Sequence, residues 1–220
     1  MNRFAIIVAG GTGQRFGSQI PKQFLPLKGL PILMHTIKTF YKFDSSIKII
    51  VTLPADFIEM WQALCSEYKF TIHHKTIQGG ETRFHSVKNG LNTITQTGVV
   101  AIHDAVRPLV STDTLLRCYE TAQRTGNAVP ITSLVDSIRQ LKGDASKQVK
   151  RDEFVLVQTP QVFEISLLKK AYEQPYILDF TDDASVVEKL GTKIILVEGN
   201  RENIKITNQT DLLIAEVLLK

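Results

Sequence analysis

Acidic residues are missing from the first forty-three positions. No aspartate or glutamate precedes Asp44, while Arg3, Arg15, Lys22, Lys28, Lys38 and Lys42 supply cations there. The whole 220-residue chain carries 26 basic and 22 acidic residues, so setting those six cations aside leaves 20 basic against 22 acidic. The positive excess is local, which favours a bound anion over a broad nucleic-acid surface. The cationic segment also lacks the interleaved aromatics on which bases would stack. Cysteine is scarce: Cys65 and Cys118 lie far apart with no CxxC or Cys/His spacing, which excludes a disulfide scaffold and a zinc site. Both read as reduced thiols in helices of a cytosolic protein. No apolar run approaches the roughly 20 residues of a membrane span, and no secretory leader pattern opens the chain. A cytoplasmic location and no membrane partner are therefore expected. The chain has a single tryptophan, Trp61, expected as a core anchor, and shows no internal repeat or low-complexity stretch.

What is present alternates in period. Phe4–Ala9, Ile47–Leu53, Phe70–His73, Val99–His103 and Asn127–Leu134 are short apolar or β-branched runs that read as strands. Between them, Pro31–Phe43, Pro54–Lys69, Thr82–Ile94 and Thr112–Arg124 repeat apolar residues at three- or four-residue steps, as helices do. Repeated β-α units with right-handed crossovers predict a doubly wound, mostly parallel, Rossmann-like α/β sheet. The length suits one domain over residues 1–220. The rhythm breaks at about 136–154, where polar flanks surround Gly143-Asp144-Ala145-Ser146 in the pattern of a projecting β-hairpin arm. A two-stranded ribbon is marginal by itself, so the arm should pack on something, and a second subunit is a fitting partner. Helices at Glu164–Glu173, Asp182–Leu190 and Thr210–Leu219 and a strand at Lys193–Val197 complete the expectation.

Ligands of open α/β sheets bind beyond the carboxyl ends of the strands where strand order reverses. With an order beginning 3-2-1-4, the loops after the first and fourth strands meet there. The first is Gly10-Gly11-Thr12-Gly13-Gln14-Arg15 through Lys22; the second is His103-Asp104-Ala105-Val106-Arg107-Pro108. The glycine loop is not a Walker A sequence, since no Gly-Lys-Ser or Gly-Lys-Thr follows it. Nor does it fit G-x-G-x-x-G, because Gly17 falls one residue late and no acid follows at the ribose-binding distance. A tight turn would need neither Arg15 nor Lys22; a polyphosphate would use both.

Other segments admit a plain reading beside a functional one. Gly79-Gly80-Glu81-Thr82-Arg83 opens a helix whose amides could meet a base or phosphate, or simply ends in a Thr82 cap. Asp104 and Arg107 can be a buried ion pair or face a substrate or metal. Thr181-Asp182-Asp183-Ala184-Ser185 suits a capped helix start, with Thr181 as the cap. Lys205 sits in an edge-like apolar strand and could be a snorkelling surface residue. His73 and His74 read as surface residues, and Arg201 with Glu202 as a solvated turn.

Taken in order, these motifs closely resemble the 2-C-methyl-D-erythritol 4-phosphate cytidylyltransferases. The resemblance runs from about Ala5 to the C-terminus. Its carriers are Ala9–Arg15, Pro21-Lys22-Gln23-Phe24, Gly79–Arg83 with Ser86-Val87, His103–Pro108, Gln158-Thr159-Pro160-Gln161, Thr181–Ser185 and Asn203-Ile204-Lys205. It implies a nucleotidyltransferase in which Ala9, Gly10, Gly11, Gly13, Gly80, Glu81 and Ser86 bind CTP. Asp104, Arg107, Arg151, Thr159 and Thr181 would then bind the alcohol phosphate, and Arg15, Lys22 and Lys205 act in catalysis. It also implies an arm that swaps across a homodimer, and the charge of a triphosphate calls for Mg²⁺ bridging it, with Asp104 as candidate ligand. Arg151 would then serve the neighbouring subunit's site. Gly10 and Val106 stand where many relatives have alanine. Valine at the latter position resembles the sister ribitol-5-phosphate cytidylyltransferases, an alternative along with a nucleotide-binding regulatory protein that does not turn over.

Overall fold

The computed structural model describes residues 1–10 and 20–219. Its strands and helices are β1 (Asn2–Val8), β2 (Pro26–Leu27), β3 (Leu30–Pro31), α1 (Ile32–Phe43), β4 (Lys48–Leu53), α2 (Ile58–Glu67) and β5 (Lys75–Gln78), then α3 (Arg83–Asn92), β6 (Gly98–Asp104), α4 (Thr112–Thr125) and β7 (Asn127–Ser133). After these come β8 (Arg139–Lys142), β9 (Ala145–Gln148), β10 (Val155–Val157), β11 (Gln161–Glu164), α5 (Ile165–Ala171), α6 (Asp183–Glu188), β12 (Leu196–Glu198) and α7 (Gln209–Leu218).

The central sheet has the order β10-β7-β11-β6-β1-β4-β5, with β12 pairing β7 in parallel. The run β6-β1-β4-β5 is parallel, which is the expected 3-2-1-4 order read from the other side. Alternate residues of each central strand feed two cores. Ala5 and Ile7 of β1, with Val99 and Ala101 of β6, meet α1, α2 and α4 on one face. Phe4, Ile6 and Val8, with Val100 and Ile102, meet α3, α5 and α6 on the other. Both faces are covered, which is why these strands are continuous apolar runs rather than alternating ones.

Two of the elements that differ from the sequence expectation lie beside β4 and β6. The third parallel strand is Lys75–Gln78, not Phe70–His73. Lys69 takes a left-handed conformation (φ 47°) after α2, and Phe70 and Ile72 then pack against the first core instead of entering the sheet. The second is β11, which the sequence reading placed within a turn and the start of a helix. This short strand lies antiparallel between β6 and β7, burying Val162 on one face and Phe163 on the other.

The expected hairpin is present as β8 and β9, in register from Arg139↔Gln148 to Lys142↔Ala145, with every residue of both strands exposed. Trp61 is buried, stacked on Phe24 with 5.8 Å between ring centroids. Its indole N–H donates to His74 Nε2 at 3.0 Å, so His74 is half-buried rather than a surface residue. The cysteines are free; burial pushes the thiol of Cys65 up to about 11 and that of Cys118 up to about 12. No helix among the described residues is long and apolar enough to cross a membrane.

Candidate active site

The carboxyl ends of β1 and β6 lie side by side, Val8 opposite Asp104, and a cleft of about 260 Å³ opens above them. Its lining brings together Ala9, Gly10, Lys22, Gly80, Glu81, Ser86, Asp104 and Lys205 from five separated segments. Arg15, Gly11 and Gly13 lie outside the described residues.

Lys22 opens a short 3-10 turn (Lys22–Phe24) started by Pro21. The turn is fastened at both sides: buried Gln23 donates its amide to the Ala9 carbonyl at 2.8 Å, and Phe24 stacks on Trp61. Lys22 is therefore fixed relative to the end of β1. Opposite, Thr82 caps α3, its hydroxyl accepting from the His85 N–H at 3.4 Å. The Gly80 amide, a candidate phosphate donor, instead donates to Ser86 Oγ at 3.0 Å, and Ser86 donates to the Thr82 carbonyl at 3.0 Å. Gly80 and Ser86 thus shape the cleft lip through one another. A side chain at position 80 would collide with His85, so the turn requires glycine.

Asp104 is the electrostatic centre. Its Oδ2 lies 2.9 Å from Lys205 Nζ and 3.4 Å from Arg107 Nε, and its Oδ1 lies 3.7 Å from Arg83 Nε. Burial by itself would push the carboxyl up, but the charges of Arg83, Lys205 and Arg107 outweigh it and hold Asp104 well below the usual carboxylate range. Beneath it, the Asp104 N–H donates to Thr159 Oγ1 at 3.1 Å, and Thr159 lies 3.1 Å from His103 Nδ1. The other ring nitrogen of His103 faces the Arg107 carbonyl at 3.0 Å. A carbonyl can only accept, so Nε2 carries the proton and Nδ1 accepts from the threonine hydroxyl. Burial pulls this histidine down to about 4, against the Arg107 carbonyl, and keeps it neutral.

Lys205 reaches the cleft without belonging to a strand. Residues 203–207 are an irregular segment, against the edge strand expected. The Ile206 N–H bonds the Val106 carbonyl at 2.9 Å, Arg107 Nη1 bonds the Asn203 carbonyl at 2.7 Å, and Asn203 Nδ2 bonds the Thr159 carbonyl at 2.8 Å. Val106 and Ile206 share a small third core with Leu27, Ile32 and Ala215, which gives the valine a packing role beside the cleft.

Four expected acceptor-site residues do not line this cleft. Arg107 turns behind Asp104 toward Asn203, and Thr159 supports Asp104 from below. Thr181 is exposed and is not the helix cap; Asp182 caps α6 in a reciprocal box with Ser185. Arg151 is exposed on the return of the arm, donating to the Val135 carbonyl at 2.6 Å. Sequence reasoning also left residues unassigned. Asp183, fully buried, accepts from Arg83 Nη2 at 2.6 Å and from the Tyr172 hydroxyl at 2.6 Å. Two adjacent acids after a threonine read as helix-start chemistry, so only the pairing across 100 residues reveals the second one.

No cluster of three or more His, Cys, Asp or Glu side chains converges among the described residues. One cleft carboxylate, Asp104, with Glu81 exposed at the lip, fits a divalent ion carried largely on substrate phosphates rather than in a protein cage.

A strand-order reversal topped by a lysine-lined cleft, with a buried carboxylate ringed by cations, fits a nucleotidyltransferase of the doubly wound α/β class. A model of the 2-C-methyl-D-erythritol 4-phosphate cytidylyltransferase family matches residues 4–220. The chain is 54% identical over 219 residues to the protein of that name from Phocaeicola vulgatus and 51% identical over 219 residues to that from Bacteroides thetaiotaomicron, each match covering both chains completely. Among solved structures, the 4-diphosphocytidyl-2C-methyl-D-erythritol synthase of Anaerococcus prevotii superposes with a TM-score of 0.84 at 25% identity, covering 99% of this chain and 96% of that one. The 2-C-methyl-D-erythritol 4-phosphate cytidylyltransferase of Thermus thermophilus superposes with a TM-score of 0.80 at 32% identity, covering 99% and 98%. The chain belongs to the 2-C-methyl-D-erythritol 4-phosphate cytidylyltransferase family.

Proposed function

We propose that this protein transfers the cytidylyl group of CTP to 2-C-methyl-D-erythritol 4-phosphate, releasing pyrophosphate, as a step of isoprenoid precursor biosynthesis. The observation that carries the reading is the meeting of Lys22, Asp104 and Lys205 in one cleft, in a chain whose relatives bear that name along their whole length. A phosphate oxygen of the acceptor attacks the α-phosphorus of CTP. The new P–O bond forms as the α–β bridging P–O bond breaks, and its electron pair leaves with pyrophosphate. The acceptor phosphate is already ionised near neutral pH, so no proton need be removed. Catalysis then rests on aligning two anions and stabilising charge on the α-phosphoryl oxygens.

In this reading Lys22 and Arg15 serve the α-phosphoryl group, and Gly10, Gly80, Glu81 and Ser86 shape the nucleotide end. Lys205, paired with Asp104 at 2.9 Å and 43% exposed, would meet the acceptor phosphate. Mg²⁺ held by Asp104 and the triphosphate oxygens would neutralise phosphate charge. Residues 1–220 act as one domain, with the arm at about 136–154 joining a homodimer and carrying Arg151 to the partner's cleft. The exposed side chains of Val135, Leu141, Phe154 and Leu156 support an apolar contact there. The two free thiols accord with a cytoplasmic enzyme.

The test is pyrophosphate release from CTP with each of two acceptors. Release should be far faster with 2-C-methyl-D-erythritol 4-phosphate than with ribitol 5-phosphate. The reverse preference would replace the acceptor, and CTP binding without release from either would replace the enzyme with a nucleotide-binding protein.

A further inference from the structure

The buried carboxylate of Asp183 lies outside the cleft, yet its partner Arg83 lines it. Acids in the first turn of a helix ordinarily face solvent and complement the dipole. Asp183 does not: its side chain has no exposed surface and is clamped between Arg83 Nη2 and the Tyr172 hydroxyl, each at 2.6 Å. The clamp is itself fixed to the sheet. Gln161, paired with Ile102 across β11 and β6, donates to Asp182 Oδ2 at 2.7 Å and accepts the Ala184 N–H at 2.8 Å. Tyr172 stacks on Phe84, the residue next to Arg83, with 4.6 Å between ring centroids.

Arg83 is thereby held from one side by Asp183 and faces Asp104 through Nε at 3.7 Å. Its side chain remains 29% exposed, and among the described residues its side-chain hydrogen bond runs through Nη2 alone. Counting charges, Arg83, Arg107 and Lys205 face the two carboxylates Asp104 and Asp183, so the wall keeps a net positive charge after both acids are paired. A guanidinium hydrogen-bonded through Nη2 and ion-paired across Nε can offer Nη1 to a phosphate with little loss of rotamer freedom on binding.

We propose that Asp183 and Tyr172 are positioning residues that hold Arg83 in the cleft wall, where its free edge donates to a phosphate of the bound substrates. The ligand chemistry is a phosphate oxygen, from either the nucleotide or the acceptor. The proposal rests on the cytidylyltransferase reading for the identity of those two ligands.

The test measures affinity for CTP and for 2-C-methyl-D-erythritol 4-phosphate separately by calorimetry, and both KM values by pyrophosphate release, in Arg83→Lys, Asp183→Asn and Tyr172→Phe. Lysine keeps the charge but cannot serve two carboxylates and a phosphate together. Arg83→Lys should weaken one ligand roughly tenfold, the scale of one charge-assisted hydrogen bond. Tyr172→Phe keeps the aromatic stack and therefore the fold, and should weaken the same ligand by a smaller factor, about two- to threefold. Weakening confined to CTP assigns the contact to the nucleotide; weakening confined to the acceptor assigns it to the alcohol phosphate. Wild-type affinity for both ligands in Arg83→Lys and Tyr172→Phe, with only a lowered Tm, would make the network a fold element and overturn the proposal. Binding of both ligands without pyrophosphate release by the wild type would overturn the activity instead, while the affinities still decide the role of Arg83.

Discussion

The cleft wall and the arm both carry pairs of opposite charge, yet the two environments give those pairs different physical meaning. In the wall, Asp183 is fully buried, and Asp104 and Arg107 have side chains only 10% and 13% exposed. On the arm, Lys150 and Glu153 are 86% and 67% exposed at 4.0 Å, and Arg151 and Asp152 are 49% and 95% exposed at 3.6 Å. Water screens the second set almost completely and the first very little. Charge pairs in the wall therefore set protonation and geometry, whereas those on the arm leave its residues available to another surface.

Grading substitutions from buried to exposed should reproduce that contrast. The largest effect is expected at Asp183→Ala, which leaves Arg83 without its buried partner and should cost about 3–5 kcal/mol of stability in denaturant unfolding. A loss below about 1 kcal/mol would mean that water reaches the site and the contrast is overstated. Next, Lys22→Ala should lower kcat about 10²–10³-fold, the scale of one preorganised electrostatic donor. An unchanged kcat with a raised KM would limit Lys22 to binding.

Arg151→Ala should leave stability within about 0.5 kcal/mol of wild type while raising KM for the acceptor more than for CTP. If the arm crosses a dimer, mixing this variant with Lys22→Ala should recover activity through hybrid sites. Absence of recovery despite subunit exchange would place Arg151 outside the partner's cleft. A half-buried group should fall in between, and His74 provides it. Burial lowers its pKa, so below the ordinary histidine value of about 6.5 the unfolded chain binds the proton more readily than the folded one. Its contribution is present above that pH and fades as pH falls beneath it. Protonation also removes the Nε2 acceptor of the lone tryptophan, so Trp61 emission should change on acidification in the wild type and stay flat in His74→Gln. The smallest effect is expected at the arm's own pair: Glu153→Ala should change unfolding free energy by no more than about 0.5 kcal/mol.

Much of the cleft was legible before folding was considered. A glycine-rich exit from an apolar strand, Lys22 just downstream and the His103–Pro108 run at the end of another strand each carry a local signature, because backbone freedom and charge are properties of short segments. Strand pairing was harder. Phe70-Thr-Ile-His has strand chemistry, but Trp61 and the first core offered Phe70 and Ile72 a better apolar surface, and the strand moved on to Lys75–Gln78. Gln161–Glu164 is too short to announce itself, and its place between β6 and β7 comes from burial on both faces.

The sequence by itself determined the alternation of elements, the exposed arm and the concentration of cations ahead of residue 44, since each follows from residue types within a few positions. Tertiary structure decided which charges are coupled. Asp104 gains Arg83 from the start of α3, Arg107 from its own loop and Lys205 from the segment before α7, while Asp183 reaches back to Arg83 across 100 residues. Coulomb energy depends on distance and on exclusion of water, and neither exists for these groups until the sheet brings their loops to one edge.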